Sequence, residues 1–151
     1  MPSKALSRTV PHSAGHMFDM VADIESYPDY LPGCRATRIL SRDHTDGVEM
    51  LVSEMTLGHR LIGGPVRSRV RLDRQTHRID VSYISGPLSE LTCNWVFTDL
   101  APGKSRVDFH ISFGAKSRLL SLLVAAVFDI TVDRLVVAFE KRADWLWARG
   151  G

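Results

Sequence analysis

The chain has 151 residues, 44% hydrophobic and 24% charged, with no shift in composition that would mark a linker. A chain of that size buries roughly 68–70% of its unfolded surface, so residues 1–151 read as a single domain with no second one required. Nineteen Lys and Arg against 17 Asp and Glu leave a formal charge of +2, too weak a field to demand nucleic acid as partner. Cys34 and Cys93 match no metal or redox spacing, which suits a reducing compartment.

The first ten residues, MPSKALSRTV, carry charge but no apolar core of signal-peptide length. They run straight into an alternating pattern, so the chain is expected to begin folded and to reside in the cytoplasm. Residues 3–10 predict a short strand that stops at Pro11. Ser13 is placed to cap a helix in which Met17, Phe18, Val21 and Ala22 recur at helical spacing, through about residue 24. The segment IESYPDYLPGC follows, and its two prolines and Gly33 leave room only for a turn of helix around Tyr27 to Tyr30.

From residue 34 the period changes to two. Strands are predicted at 34–42, 47–57, 60–73, 76–86, 90–99 and 105–114, separated by turn signals such as Asp46-Gly47 and Gly86-Pro87. Strands in series joined by short turns make an antiparallel meander. Val107, Phe109, Ile111 and Phe113 share one face of the last strand, while Arg106, Asp108, His110 and Ser112 share the other.

Residues 116–148 contain neither Gly nor Pro and predict one helix of roughly 50 Å at about 1.5 Å per residue. In its second half Ile130, Arg134, Val137, Ala138, Lys141 and Trp145 fall near one another, with charges on the flanks. Its first half, LLSLLVAAVF, is apolar all round, and such a helix must be covered on every side or line an apolar space. Leu119 to Phe128 is about half the length a bilayer crossing needs, and Asp129 follows at once. This order of elements is α+β, with one long helix lying along a sheet that curls around it.

Four stretches carry a resemblance that covers nearly the whole chain: VADIESYPDYLPGC at 21–34, GPLSELTCNWVF at 86–97, VDFHISFGAKSRLLSLL at 107–123 and VFDITVDRLVVAFEKRA at 127–143. In these the chain resembles the coenzyme Q-binding protein family and its sister group, the ribosome-association toxin family. Both lie within the StAR-related lipid-transfer-like, or polyketide cyclase/dehydrase-like, superfamily. The resemblance implies a START-like helix-grip fold and a non-enzymatic role, binding or chaperoning a polyprenyl quinone such as ubiquinone for respiration, with no cofactor required. For the sister group it implies contact with the large ribosomal subunit instead. YPDYLPGC then becomes a cap at one edge of a cavity, with Tyr27, Pro28, Leu31, Pro32 and Cys34 in the matching places. Tyr30 stands where many relatives are expected to carry Phe, so its added hydroxyl must reach water or a partner. The resemblance supplies no catalytic residue.

An isoprenoid tail needs a long dry tunnel, because each buried CH₂ gains about 0.8 kcal/mol. Candidate lining from the helix is Leu119, Leu122, Leu123, Ala126 and Val127. From the sheet it is Val70, Val81, Tyr83, Trp95, Phe97, Phe109 and Ile111. Each of these side chains taken singly also reads as ordinary core. Leu61 and Ile62, beside Gly58, Gly63 and Gly64, suit a movable lip over the pocket, and an ordinary hairpin accounts for the same glycines.

Arg67, Arg69 and Arg71 alternate with apolar or small residues and project from one outer face. Such a ladder fits anionic lipid or ribosomal phosphate; more often it is a solvated face paired across strands, here with Asp80 and Glu54. No aromatic residues interleave with it as an RNA-stacking surface needs. His12 and His16, four apart, share a helix face, but no further ligand follows at metal spacing. His110, with Asp108 or Tyr83, is the candidate acid or base of a small aromatase/cyclase, although alternation points it away from the concave face. The expected function is therefore quinone carriage with weak, reversible contact with a membrane surface or respiratory complexes, the alternatives being a ribosome-binding inhibitor of translation and a cyclase.

Overall fold

The computed structural model describes residues 3–58 and 64–147. Alternation becomes sheet in chain order: strand β1 (Ser3–Val10), helix α1 (Ala14–Ala22), a 3-10 turn (Ile24–Asp29), then β2 (Cys34–Thr45), β3 (Val48–Leu57), β4 (Val66–Asp73), β5 (Arg78–Ser85), β6 (Leu88–Ala101) and β7 (Lys104–Ala115). Helix α2 spans Arg118–Trp147. The strands form one antiparallel sheet of seven in the order β1-β7-β6-β5-β4-β3-β2. This is the helix-grip arrangement expected from the sequence, a meander from β2 to β7 with β1 added at the β7 edge.

Local chemistry explains the boundaries. Ser13 Oγ accepts the His16 backbone N–H at 3.1 Å and so caps α1. Asp46 and Gly47 both have positive φ, 52° and 80°, the pair of values a two-residue hairpin turn requires. Gly86 (φ +139°) has a different reason: a Cβ there would stand 2.7 Å from the Pro65 carbonyl oxygen, so the β5–β6 turn can lie against the start of β4 only without a side chain. Register shifts in β2 and β6 mark bulges, which bend the strands and curl the sheet.

One face of the curled sheet is dry. In β4, Val66, Ser68, Val70 and Leu72 are buried while Arg67 and Arg69 are exposed. Helix α2 meets this concave face with Val132, Val136, Phe139 and Ala143, three or four apart and all buried. Phe139 joins the layers: its ring lies 5.1 Å from Trp95, 5.5 Å from Tyr27 and 5.7 Å from Tyr30. Polar contacts set the direction of the helix along β1 and its end: Lys4 to Asp133 at 3.0 Å, Arg8 to Glu140 at 2.7 Å and His12 Nε2 to Asp144 at 2.7 Å. The two exposed pairs, Lys4–Asp133 and Arg8–Glu140, contribute about 0–1 kcal/mol each, so they orient α2 more than they hold it.

Burial also places a pH limit on this core. It pushes the Cys93 thiol up to about 12 from its ordinary 9.0, against a hydrogen bond with Trp95 that lowers it. The Tyr27 hydroxyl is raised well above 10.0, likewise by burial. Folding therefore keeps both groups protonated, and that contribution is complete below the unfolded values. It is lost as pH rises from 9.0 through about 12, so the urea midpoint should fall over that window. Cys93→Val should flatten part of the fall.

Candidate functional site

The concave face divides in two. Towards the C-terminal half of α2 it is filled: Val70, Trp95, Phe97 and Phe109 are buried, and the Trp95 and Phe109 rings lie 4.3 Å apart. Further along β6 and β7 Leu91, Ile111 and Phe113 are only half-buried, as is Val81 of β5. Leu91 stands opposite Phe113, and Cys93 opposite Ile111 and Val81, so these side chains share the concave face with Trp95 and Phe109. Half-buried apolar side chains in a concave surface present dry area to an occupant. Tyr83, also half-buried, is held by its hydroxyl, which accepts the Leu88 N–H at 3.1 Å and closes the β5–β6 turn.

Three of the five helix residues expected to line the cavity turn away from it. Leu119 and Leu122 are 61% and 65% exposed and Ala126 is exposed as well, so these three point away from the sheet. A single helix on one face of a sheet meets it along one side, and a segment apolar all round must leave another side in water. Leu120, which the sequence did not single out, is the neighbour buried at 2%, and Leu123 is half-buried. The side chain of Val127, and Leu61 and Ile62 of the expected lip, lie outside the described residues.

The YPDYLPGC segment forms a rim. Tyr27, Leu31 and Cys34 are buried, Pro28 is half-buried and Pro32 exposed. Tyr27 donates its hydroxyl to the Val21 carbonyl. The Tyr30 hydroxyl is buried with no hydrogen-bond partner among the described residues, contrary to the expectation that it reaches water or a partner. Packing fixes the ring instead: it stands edge-on to Phe139 at 78°, and the Arg142 guanidinium lies 4.9 Å over its face. An unpaired buried donor costs about 1–3 kcal/mol. Tyr30→Phe should accordingly raise stability by about 1 kcal/mol or more in urea unfolding, and a loss would show that the hydroxyl has a partner.

The arginine ladder lies on the convex face. Arg67 pairs with Glu54 at 2.9 Å and Arg71 with Asp73 at 3.6 Å, while Arg69 stands opposite Val52 and Ser82. Asp80, opposite Arg71, is engaged by Arg78 at 2.9 Å and Asn94 at 2.6 Å. Burial raises its carboxyl, but these two hydrogen bonds together with the charges of Arg78 and Arg71 outweigh burial and hold it below its ordinary range. Glu54 thus pairs with the ladder as expected, and Asp80 turns to its own strand and the next.

Comparison with known proteins places this geometry. The family model for polyketide cyclase / dehydrase and lipid transport matches residues 10–140. The chain belongs to that family. It is 33% identical over 140 residues to the ribosome association toxin RatA of Rickettsia prowazekii, covering 91% of this chain and 92% of that one. To the mitochondrial coenzyme Q-binding protein COQ10 homolog B of Xenopus laevis it is 29% identical, over 95% of this chain and 58% of that one. Among solved structures, the 18 kDa protein CC1736 of Caulobacter crescentus superposes with a TM-score of 0.80 at 29% identity, over 98% of this chain and 99% of that one. The Zhui aromatase/cyclase of a Streptomyces species shares the fold at a TM-score of 0.71 and 15% identity, over 95% and 93%.

For a member of the polyketide cyclase / dehydrase and lipid transport family, the position of its proton-transfer groups bears on catalysis. His110 is exposed on the convex face, opposite Ala5 and Asn94, and Asp108 beside it pairs with Arg106 at 3.1 Å. Neither reaches the concave side. His12 and His16 serve the junction with α2, His12 through Asp144 and His16 by stacking on Trp147 at 4.4 Å.

Proposed function

We propose that the chain is a non-enzymatic carrier of a polyprenyl quinone such as ubiquinone, held against the concave face of the sheet beneath the N-terminal half of α2. The observation that supports this most is the half-buried apolar row Val81, Leu91, Ile111 and Phe113, which lies beyond the filled aromatic core. An isoprenoid tail laid on such a row gains about 0.8 kcal/mol for each CH₂ removed from water. The coenzyme Q-binding name of the Xenopus relative points the same way. A cyclase would need an acid or base free to act beside the row; His110 and Asp108 lie on the convex face, and the Tyr83 hydroxyl is engaged by the Leu88 N–H at the β5–β6 turn.

Titration with a short-tailed ubiquinone tests the reading, with Trp145→Phe and Trp147→Phe leaving Trp95 as the sole emitter. Saturable quenching of Trp95 is expected, since its neighbours on β6 and β7 form the row; emission unchanged at saturating quinone would contradict it. Ribosome association is the second reading. It is favoured by the names of relatives such as the Rickettsia protein and by the exposed Arg67 and Arg69. It requires that large ribosomal subunits carry the protein down on sedimentation and that Arg67→Glu with Arg69→Glu releases it.

A further inference from the structure

Helix α2 leaves a second apolar surface that the quinone reading does not use. Leu119, Leu122, Ala126, Ile130, Val137 and Trp145 fall three, four or multiples of about four apart, and Asp133 and Lys141 fill the two gaps. The row is about 39 Å long at 1.5 Å per residue. It is wet: Leu119, Leu122, Ile130 and Trp145 are 59–69% exposed and Val137 is 39% exposed. Along its C-terminal half it borders an open groove of about 670 Å³ between α2 and the Tyr30–Pro32 rim.

Cations lie in the row and on its flanks. Arg118, Arg134 and Lys141 are exposed, and the Arg142 guanidinium lies 4.4 Å over the Trp145 ring as well as over Tyr30. The acids of α2 whose side chains are described are drawn toward β1 and its end: Asp133 holds Lys4, Glu140 holds Arg8 and Asp144 holds His12. A long apolar row, bordered by Arg and Lys and ending in an exposed Trp, has the chemistry of a helix lying in the boundary between anionic headgroups and acyl chains. A single-stranded RNA would call for interleaved aromatic platforms, and this row is aliphatic apart from Trp145. A second copy would bring the same cations face to face. No described helix is long and apolar enough to cross a membrane, so contact of this kind is peripheral.

We propose that the outward face of α2 docks the protein on an anionic lipid bilayer, and that the arginine ladder of β4 does not. The test is flotation with vesicles of phosphatidylcholine alone or with roughly one-third phosphatidylglycerol, neither containing quinone, so that the result stands apart from ligand carriage. The native chain should float with the anionic vesicles, and Trp145 emission should shift to the blue. Leu122→Glu with Ile130→Glu, and separately Arg134→Glu with Lys141→Glu, should each weaken binding by about tenfold or more. Both pairs are exposed, so the urea midpoint should not move. Arg67→Glu with Arg69→Glu should leave flotation within about twofold of the native chain. Failure of the native chain to float would overturn the proposal. So would loss of flotation in the β4 variant but not in the α2 variants.

Discussion

Phe139→Ala is expected to lower stability by about 3–5 kcal/mol, the largest loss foreseen for a single core substitution here. The ring is 6% exposed and touches three other rings at once: Trp95 of β6, and Tyr27 and Tyr30 in the 3-10 turn and just beyond it. Each contact is edge-to-face, with interplanar angles of 74–83°. That geometry adds about 0.5–1.5 kcal/mol per pair to simple burial. Removing the ring leaves a cavity whose walls belong to separate layers, so they cannot collapse together to fill it. Urea unfolding followed by circular dichroism measures the loss. A change below about 1 kcal/mol would mean that α2 is not seated on the sheet through this residue.

Ile111→Trp should abolish quinone binding, by about a hundredfold or more, while reducing stability by only about 1–3 kcal/mol. Ile111 is half-buried on the concave face, between buried Phe109 and half-buried Phe113. A larger side chain there has open area to enter and occupies the place of the tail. Ser112→Trp, one residue on, points to the convex face and should change quinone affinity little. A parallel loss in both variants would mean that binding follows global stability rather than occupation of the row.

Period-two patterning made the sheet legible. Val107, Phe109, Ile111 and Phe113 were assigned to one face from alternation alone, and they share the concave face with Leu91, Cys93 and Trp95 through the β6–β7 register. Helix α2 was legible in extent, predicted at 116–148 and found at Arg118–Trp147, but not in rotation. A segment such as LLSLLVAAVF has apolar residues at every angle, so its pattern carries no phase. For that reason the sequence places Leu119 and Leu122 inside, yet they stand outside, whereas Leu120 is buried. In the second half the seated residues Val132, Val136, Phe139 and Ala143 do recur at helical spacing, a signal masked by the neighbouring apolar Ile130, Val137 and Ala138. The buried hydroxyl of Tyr30 was beyond any local pattern, because Phe139 and Arg142, more than a hundred residues away in sequence, decide its surroundings.

Organic extraction of the protein purified from a quinone-producing host, followed by mass spectrometry of the extract, tests quinone carriage most directly. The account predicts polyprenyl quinone near one equivalent per chain from the native protein and from Ser112→Trp, and almost none from Ile111→Trp. An empty extract from the native protein, with large ribosomal subunits retaining the same preparation, would contradict it.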